Sequence, residues 1–237
     1  MRTVNAAADA DPEVLRVSLD AKATVKVGPF SRGGRSRVAV KAADHDFQPA
    51  ALVTPVGLFL PQHDELTLYG VTSKVTSDCL VDRLEEGWAM ARERFPTITT
   101  LVLNVDNGPE NHSRRTQFMA RLVAFVDRTG LTVRLAYYPP YQSKYNPIER
   151  CWGVLEQHWN GALLDSVDTV LAYAATMTWK GQPPVVTRVT TAYQRGVRLT
   201  KAAMAVIEAR LSRLPGLEKW FVDIHPLPPE AGTAICS

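Results

Sequence analysis

Hydrophobic periodicity first changes near Thr76, from the period of a strand to that of a helix, and that change limits the fold more than any single residue does. Before it, apolar residues alternate or run together in short, β-branched stretches. The first is VLRVSLDAKATVKV from Val14 to Val27; Ala51–Leu60 and Glu65–Val71 follow, joined by a polar turn around His63. A period of two is what a half-buried strand presents, so three consecutive strands are expected to form an antiparallel meander. After Thr76 the period becomes helical. Leu80, Leu84, Trp88, Ala91 and Phe95 recur at three- and four-residue spacing, with a cap available from Thr76 to Asp78 and a stop at Pro96.

Strand and helix then alternate. Ile98–Val105 reads as a buried strand that runs straight into Asp106-Asn-Gly-Pro. Phe118, Leu122, Phe125 and Val126 mark a second amphipathic helix, closed by Gly130. Leu131–Tyr138 is a fifth strand, halted by Pro139 and Pro140, and Pro147 suits the first turn of a third helix. The order β-β-β-α-β-α-β-α predicts an α/β domain: a mixed five-stranded sheet flanked by helices, in the order of a ribonuclease-H-like fold. Ser166–Met177 and Thr200–Leu214 read as further helices, and Pro226 to Ser237 as a loose tail. One catalytic domain over residues 1–180 and a helical C-terminal extension over 181–237 are therefore expected.

Composition closes off several classes. At 46% hydrophobic and 22% charged, the 237 residues can bury a real core. Cys79, Cys151 and Cys236 are scattered and odd in number, which argues against a disulfide framework or a zinc knuckle. The apolar stretch from Ala50 to Leu60 is too short for a membrane span and contains Pro55, and the N-terminus lacks a signal-peptide core. A cytoplasmic, nucleoid-associated bacterial protein is expected. The net charge of +3 is compatible with nucleic acid without requiring it.

Charge inside apolar strands needs a reason, because an unpaired buried charge is expensive. Asp20 interrupts the first strand between Leu19 and Ala21, and Asp106 ends the fourth. In the expected fold these strands are neighbours, so both carboxylates emerge at one spot. Glu149, in the first turn of the helix after the fifth strand, can swing over it. Three converging carboxylates repel one another unless a cation neutralises them, and oxygen-only donors suit Mg²⁺ or Mn²⁺. Two such ions about 3.5–4 Å apart would perform phosphoryl transfer without a protein nucleophile. Taken singly, Asp-Asn-Gly-Pro is a turn signal and Glu149 an ordinary first-turn acid; their joint occurrence in this order carries the functional reading.

The segment YYPPYQSKYNPIERCWG resembles the proline-rich stretch that carries the last acid of many insertion-sequence transposases. SLDAK around Asp20 and DNGPEN around Asp106 look like the first two acidic motifs of the same superfamily. Through LDAKATVKVGPFSRGG, KAADHDF, TSD, RRTQF and LLDSVDTV as well, the chain resembles the Rhodopirellula-type DDE transposases from about Asp11 to Asp223. That resemblance implies a retroviral-integrase-like fold and Asp20, Asp106 and Glu149 as the metal-binding triad. It also implies DNA (transposon ends and target) as substrate, and action as a homo-oligomer on that DNA. Transposases of this kind carry a DNA-binding region ahead of the first catalytic strand. Only some dozen residues precede that strand here, so this region is expected to be missing. A catalytically silent or regulatory remnant that binds DNA or intact transposase is the alternative function.

Arg32, Arg35, Arg37 and Lys41 form the densest basic stretch and are candidates for phosphate contacts; Lys144 and Arg150 flank Glu149 and could do the same. Asn107 and Asn146 could orient the neighbouring acids, or serve as turn and cap residues. Trp152, Leu155 and Trp159 read as the core face of the Glu149 helix. A metal-independent hydrolase with a carboxylate pair would leave the basic loop without a purpose, whereas a junction resolvase would differ only in substrate.

Overall fold

A computed structural model describes residues 1–30, 48–139 and 145–228. In chain order its elements are α1 (Arg2–Ala10), β1 (Val14–Ala21), β2 (Val25–Val27), β3 (Ala51–Leu60), β4 (Glu65–Val71), α2 (Ser77–Ala91), β5 (Thr100–Val105) and α3 (Thr116–Thr129). They continue with β6 (Thr132–Tyr137), α4 (Pro147–His158), α5 (Val167–Thr176), β7 (Val185–Val189), α6 (Lys201–Glu208), β8 (Leu211–Arg213) and β9 (Phe221–Ile224). The five expected strands form the middle of a mixed sheet in the order β4-β3-β1-β5-β6. The meander β1-β3-β4 is antiparallel, and β5 and β6 join β1 in parallel, the arrangement of a ribonuclease-H-like α/β fold.

Strand alternation divides the sheet into two unlike faces. Leu15, Val17 and Leu19 of β1 and Leu101, Leu103 and Val105 of β5 pack with Leu80, Leu84, Phe118, Leu122 and Phe125 under α2 and α3. Thr76 caps α2 by accepting from the Cys79 amide at 3.3 Å, and Gly130 ends α3 in the left-handed conformation that a glycine takes without strain. Intervening residues on the other face are polar along β1: Arg16, Ser18 and Asp20, all buried. Helix α4 covers the Asp20 end of this face, and α1 the other.

Helix α1 has no counterpart in the sequence reading, because its apolar side is short and made mostly of small residues. Ala8 packs with Val102 and Ala136, with Val4 against them, and polar contacts add to this. Arg16 donates to both oxygens of Asp9, at 2.7 and 2.6 Å, while Asn5 bonds Asn104 and the Tyr138 hydroxyl.

The expectation of a helical C-terminal extension is corrected. Among the described residues the segment after 181 contributes β7, α6, β8 and β9. Strand β7 pairs in parallel with β4, and β9 pairs antiparallel with β6, so these strands extend both sides of the sheet. The helix expected over Thr200–Leu214 stops at Glu208, because Leu211–Arg213 pairs with β9 and strand pairing overrides local helical preference. The stretch read as one strand from Val14 to Val27 breaks after Ala21, and Val25–Val27 pairs with the start of β3. Among the described residues no helix is long and apolar enough to cross a membrane.

Gly57 is what lets α4 lie on the sheet. It sits opposite Asp20 in the β1–β3 pairing, and a Cβ built there would stand 2.6 Å from Ile148 Cδ1 and 2.6 Å from Trp152 Cη2. Ile148 and the Trp152 ring are both buried and cannot yield freely. Gly57→Val is therefore expected to destabilise the domain by about 1–3 kcal/mol through overpacking, read as a lower urea midpoint; an unchanged midpoint would show that α4 does not depend on this close approach.

Candidate active site

Sheet register brings the two aspartates together. Parallel pairing sets Val14 against Thr100 and Ser18 against Asn104, and the same offset continued by two residues sets Asp20 level with Asp106. Asp20 still belongs to β1, whereas Asp106 is the first residue beyond β5. Glu149 lies in the first turn of α4, which crosses β1 and β3 on the Asp20 face.

Each acid is held differently. Asp20 is only 8% exposed, and its Oδ2 accepts a hydrogen bond of 2.7 Å from the Trp152 indole N–H. Asp106 is half-buried; its Oδ1 accepts from Asn111 Nδ2 at 2.7 Å and, more weakly, from the Gly108 amide at 3.4 Å. Asn111 is buried in turn, and its backbone carbonyl accepts from the Tyr137 hydroxyl at 2.7 Å. The turn after β5 is thereby tied to the end of β6. Asn146, the residue before α4, is buried and its side-chain oxygen accepts from the Ser18 hydroxyl, fixing the start of the helix to β1 two residues from Asp20.

Electrostatics show how near the three acids stand. The Asp20 carboxyl is pushed up from 3.8 to about 7, chiefly by burial. The Trp152 hydrogen bond opposes that rise, and the charges of Asp106 and Glu149 add to it. A buried carboxyl whose ionisation two further carboxylates also oppose is the arrangement a cation relieves, and the donors are all oxygen, which suits a hard divalent ion. Among the described residues no group of three His, Cys, Asp or Glu side chains is drawn together tightly enough to hold a metal as it stands. Enclosing an ion therefore requires a side chain to move. Glu149, half-exposed at the helix end, is the least constrained of the three.

The other expected residues divide clearly. Arg150 is exposed beside Glu149 and makes no ion pair among the described residues. Arg32, Arg35, Arg37, Lys41 and Lys144 lie outside the described residues. Asn107 is exposed, and Asn111 rather than Asn107 bonds Asp106. Trp152, read from the sequence as core only, packs in the core and also donates to Asp20. Its position three residues after Glu149 was the available signal, since one helical turn puts both on the same side. The Tyr137–Asn111 link had no such signal, because only the fold brings residues 26 apart in sequence into contact.

A family model for the Rhodopirellula transposase DDE domain matches residues 2–226. The chain belongs to that family. It is a DDE transposase domain, and the match runs past the five central strands into the C-terminal strands that complete the sheet. Comparison with curated proteins finds no match. Among solved structures, this transposase domain is similar to the Mos1 transposase paired-end complex with left transposon end, at 12% identity and a TM-score of 0.48 over 67% of this chain and 46% of that one. The Mos1 mariner paired-end complex with Mn is similar at 11% identity and the same TM-score. A simian T-cell lymphotropic virus intasome bound to a PP2A regulatory subunit is similar at 13% identity and 0.38, over 93% of this chain and 73% of that one. The chain spans about half the length of the Mos1 proteins it resembles.

The raised Asp20 value has a consequence for stability. The folded domain holds the Asp20 proton more tightly than the unfolded chain does. The stability tied to that proton is fully present below about pH 4 and is lost as pH rises through about 7. In EDTA, Asp20→Asn is expected to gain stability relative to wild type across this window, on the order of 2–4 kcal/mol at pH 8. Urea unfolding at pH 4 and pH 8 checks this; a constant difference between the two proteins would show that Asp20 is not perturbed.

Proposed function

We propose that this domain cleaves and rejoins DNA strands by metal-dependent phosphoryl transfer, with Asp20, Asp106 and Glu149 as the metal-binding and catalytic residues. The observation that carries the reading is the Asp20 carboxyl: buried, level with Asp106, and raised by the charges of both other acids. Family membership gives the chemical class, and the carboxylates give the place where it would occur.

Asp20, Asp106 and Glu149 would hold the divalent ions, Mg²⁺ or Mn²⁺ and two in number, which when bound would supply activation of an attacking water or 3′-hydroxyl and charge stabilisation for the leaving oxygen. The protein's part is positioning. Strand β1 and the Trp152 indole, which donates to Oδ2, hold Asp20 at a fixed orientation. Asn111, braced by Tyr137, aims one oxygen of Asp106. Glu149 closes the site from α4, and Arg150 beside it is placed to contact a phosphate. DNA as substrate, both transposon ends and target, and assembly of several copies on paired ends belong to the same proposal. It leans on none of the basic residues outside the described segments.

Supercoiled-plasmid nicking tests it. The wild-type chain is expected to nick in Mg²⁺ or Mn²⁺ and to stop in EDTA, and Asp106→Ala is expected to lose at least about a hundredfold in rate. Nicking that survives chelator or Asp106→Ala would overturn the reading. A folded wild-type chain that never nicks would support the silent, regulatory alternative.

A further inference from the structure

Beyond the carboxylates, the same end of the sheet carries a second polar cavity, of about 400 Å³, whose lining contains no acid. It is walled by the hydroxyls of Thr24, Thr54, Thr72 and Ser73 and by two cations, Lys74 and Arg195. The segment bearing Arg195 is tied down: Ser73 Oγ donates to the Thr191 carbonyl at 3.3 Å, and Tyr193 donates through its hydroxyl to Asp82 at 2.6 Å. Thr24 and Thr54 bond each other at 2.7 Å, fixing the opposite wall. Lys26 is directly opposite Leu52, another lining residue, in the β2–β3 pairing, so its side chain rises on the same face.

The cations at this cavity are not neutralised by acids among the described residues, as many of the protein's arginines are. Arg16, Arg83, Arg94, Arg115, Arg121 and Arg134 each pair with an acid. Lys26, Lys74 and Arg195 have no acid partner among the described residues, and each is exposed. Unpaired cations set among hydroxyl donors with no carboxylate in the lining make an anion site, and Lys, Arg, Ser and Thr are side chains that contact phosphate in nucleic-acid backbones.

Position selects the anion. The Lys22 amide, two residues after Asp20, donates to the Pro55 carbonyl at 2.9 Å, and Thr54 precedes Pro55. Thr54 is three residues along β3 from Gly57, the partner of Asp20, which is about 10 Å at strand rise. Even-numbered residues of β3 face α2, so the cavity opens around the sheet end from the acids. We propose that this cavity holds a backbone phosphate of the DNA strand whose scissile bond lies at Asp20, and so anchors DNA as it passes over the sheet end. The proposal rests on the reading of the chain as acting on DNA. It needs neither metal nor catalysis.

The test is fluorescence anisotropy of a labelled duplex of arbitrary sequence bound to the full chain in EDTA, over a range of KCl concentrations. The Lys74→Ala/Arg195→Ala variant is expected to bind more weakly and to flatten the slope of log affinity against log salt by about 1, as for one lost phosphate contact. Lys74→Arg should keep the wild-type slope, as should Arg92→Ala, which removes an exposed cation just after α2 that makes no ion pair among the described residues. An unchanged slope in the double variant, an equal loss in Arg92→Ala, or no duplex binding by the wild-type chain would each overturn the proposal. Loss of nicking with this binding pattern intact would count against the catalytic reading alone.

Discussion

Parallel pairing of β1 with β5 fixes a single offset between two strands, and much at the candidate site depends on it. Slipping that register by one residue would turn Asp20 toward the α2–α3 core and Leu19 toward α4, because strand side chains alternate. The apolar sets prevent this. Leu15, Val17 and Leu19 on one strand and Leu101, Leu103 and Val105 on the other are buried in the same core, so the hydrophobic effect that closes the sheet also sets the two aspartates level. A repulsive pair of charges is thus held in place by interactions that do not involve charge.

That arrangement costs stability, and the surrounding residues show how the cost is limited. Burial drives the Asp20 carboxyl toward its neutral form, while the Trp152 N–H favours the ionised one. The indole reaches Asp20 only because α4 lies close on the sheet, which requires Gly57 to have no side chain. Ser18 and Asn146 join the strand and the helix start at the same level. The helix that carries Glu149 is therefore positioned by a glycine, a tryptophan and an asparagine whose roles are geometric. Glu149 itself keeps the freedom to close on a ligand.

Much of this was legible in the sequence, and the reason is period. The five central strands and the helices α2, α3 and α4 are long or strongly patterned, and Asp20, Asp106 and Glu149 stand out because each departs from a local pattern or begins a helix. Three kinds of feature were hidden. Helix α1 is short and built mostly from small and polar residues, so its narrow apolar side of Val4 and Ala8 does not stand out. Strands β8 and β9 are short and gain their identity from pairing, β9 with the edge of β6 and β8 with β9, rather than from their own residues. Contacts such as Tyr137 with Asn111 and Trp152 with Asp20 join parts of the chain that no local pattern links. The cavity at Lys74 and Arg195 is the same kind of case, since its two cations are more than a hundred residues apart.

The central claim is that three carboxylates from two strands and a helix act as one metal site. Calorimetric titration of Mn²⁺ into the wild-type chain and into Asp20→Asn, Asp106→Asn and Glu149→Gln measures it without relying on turnover. The account predicts saturable binding by wild type, weakened by at least about tenfold in every variant, with proton release near pH 7 as Asp20 ionises. Full affinity retained in any one of the three variants would contradict it.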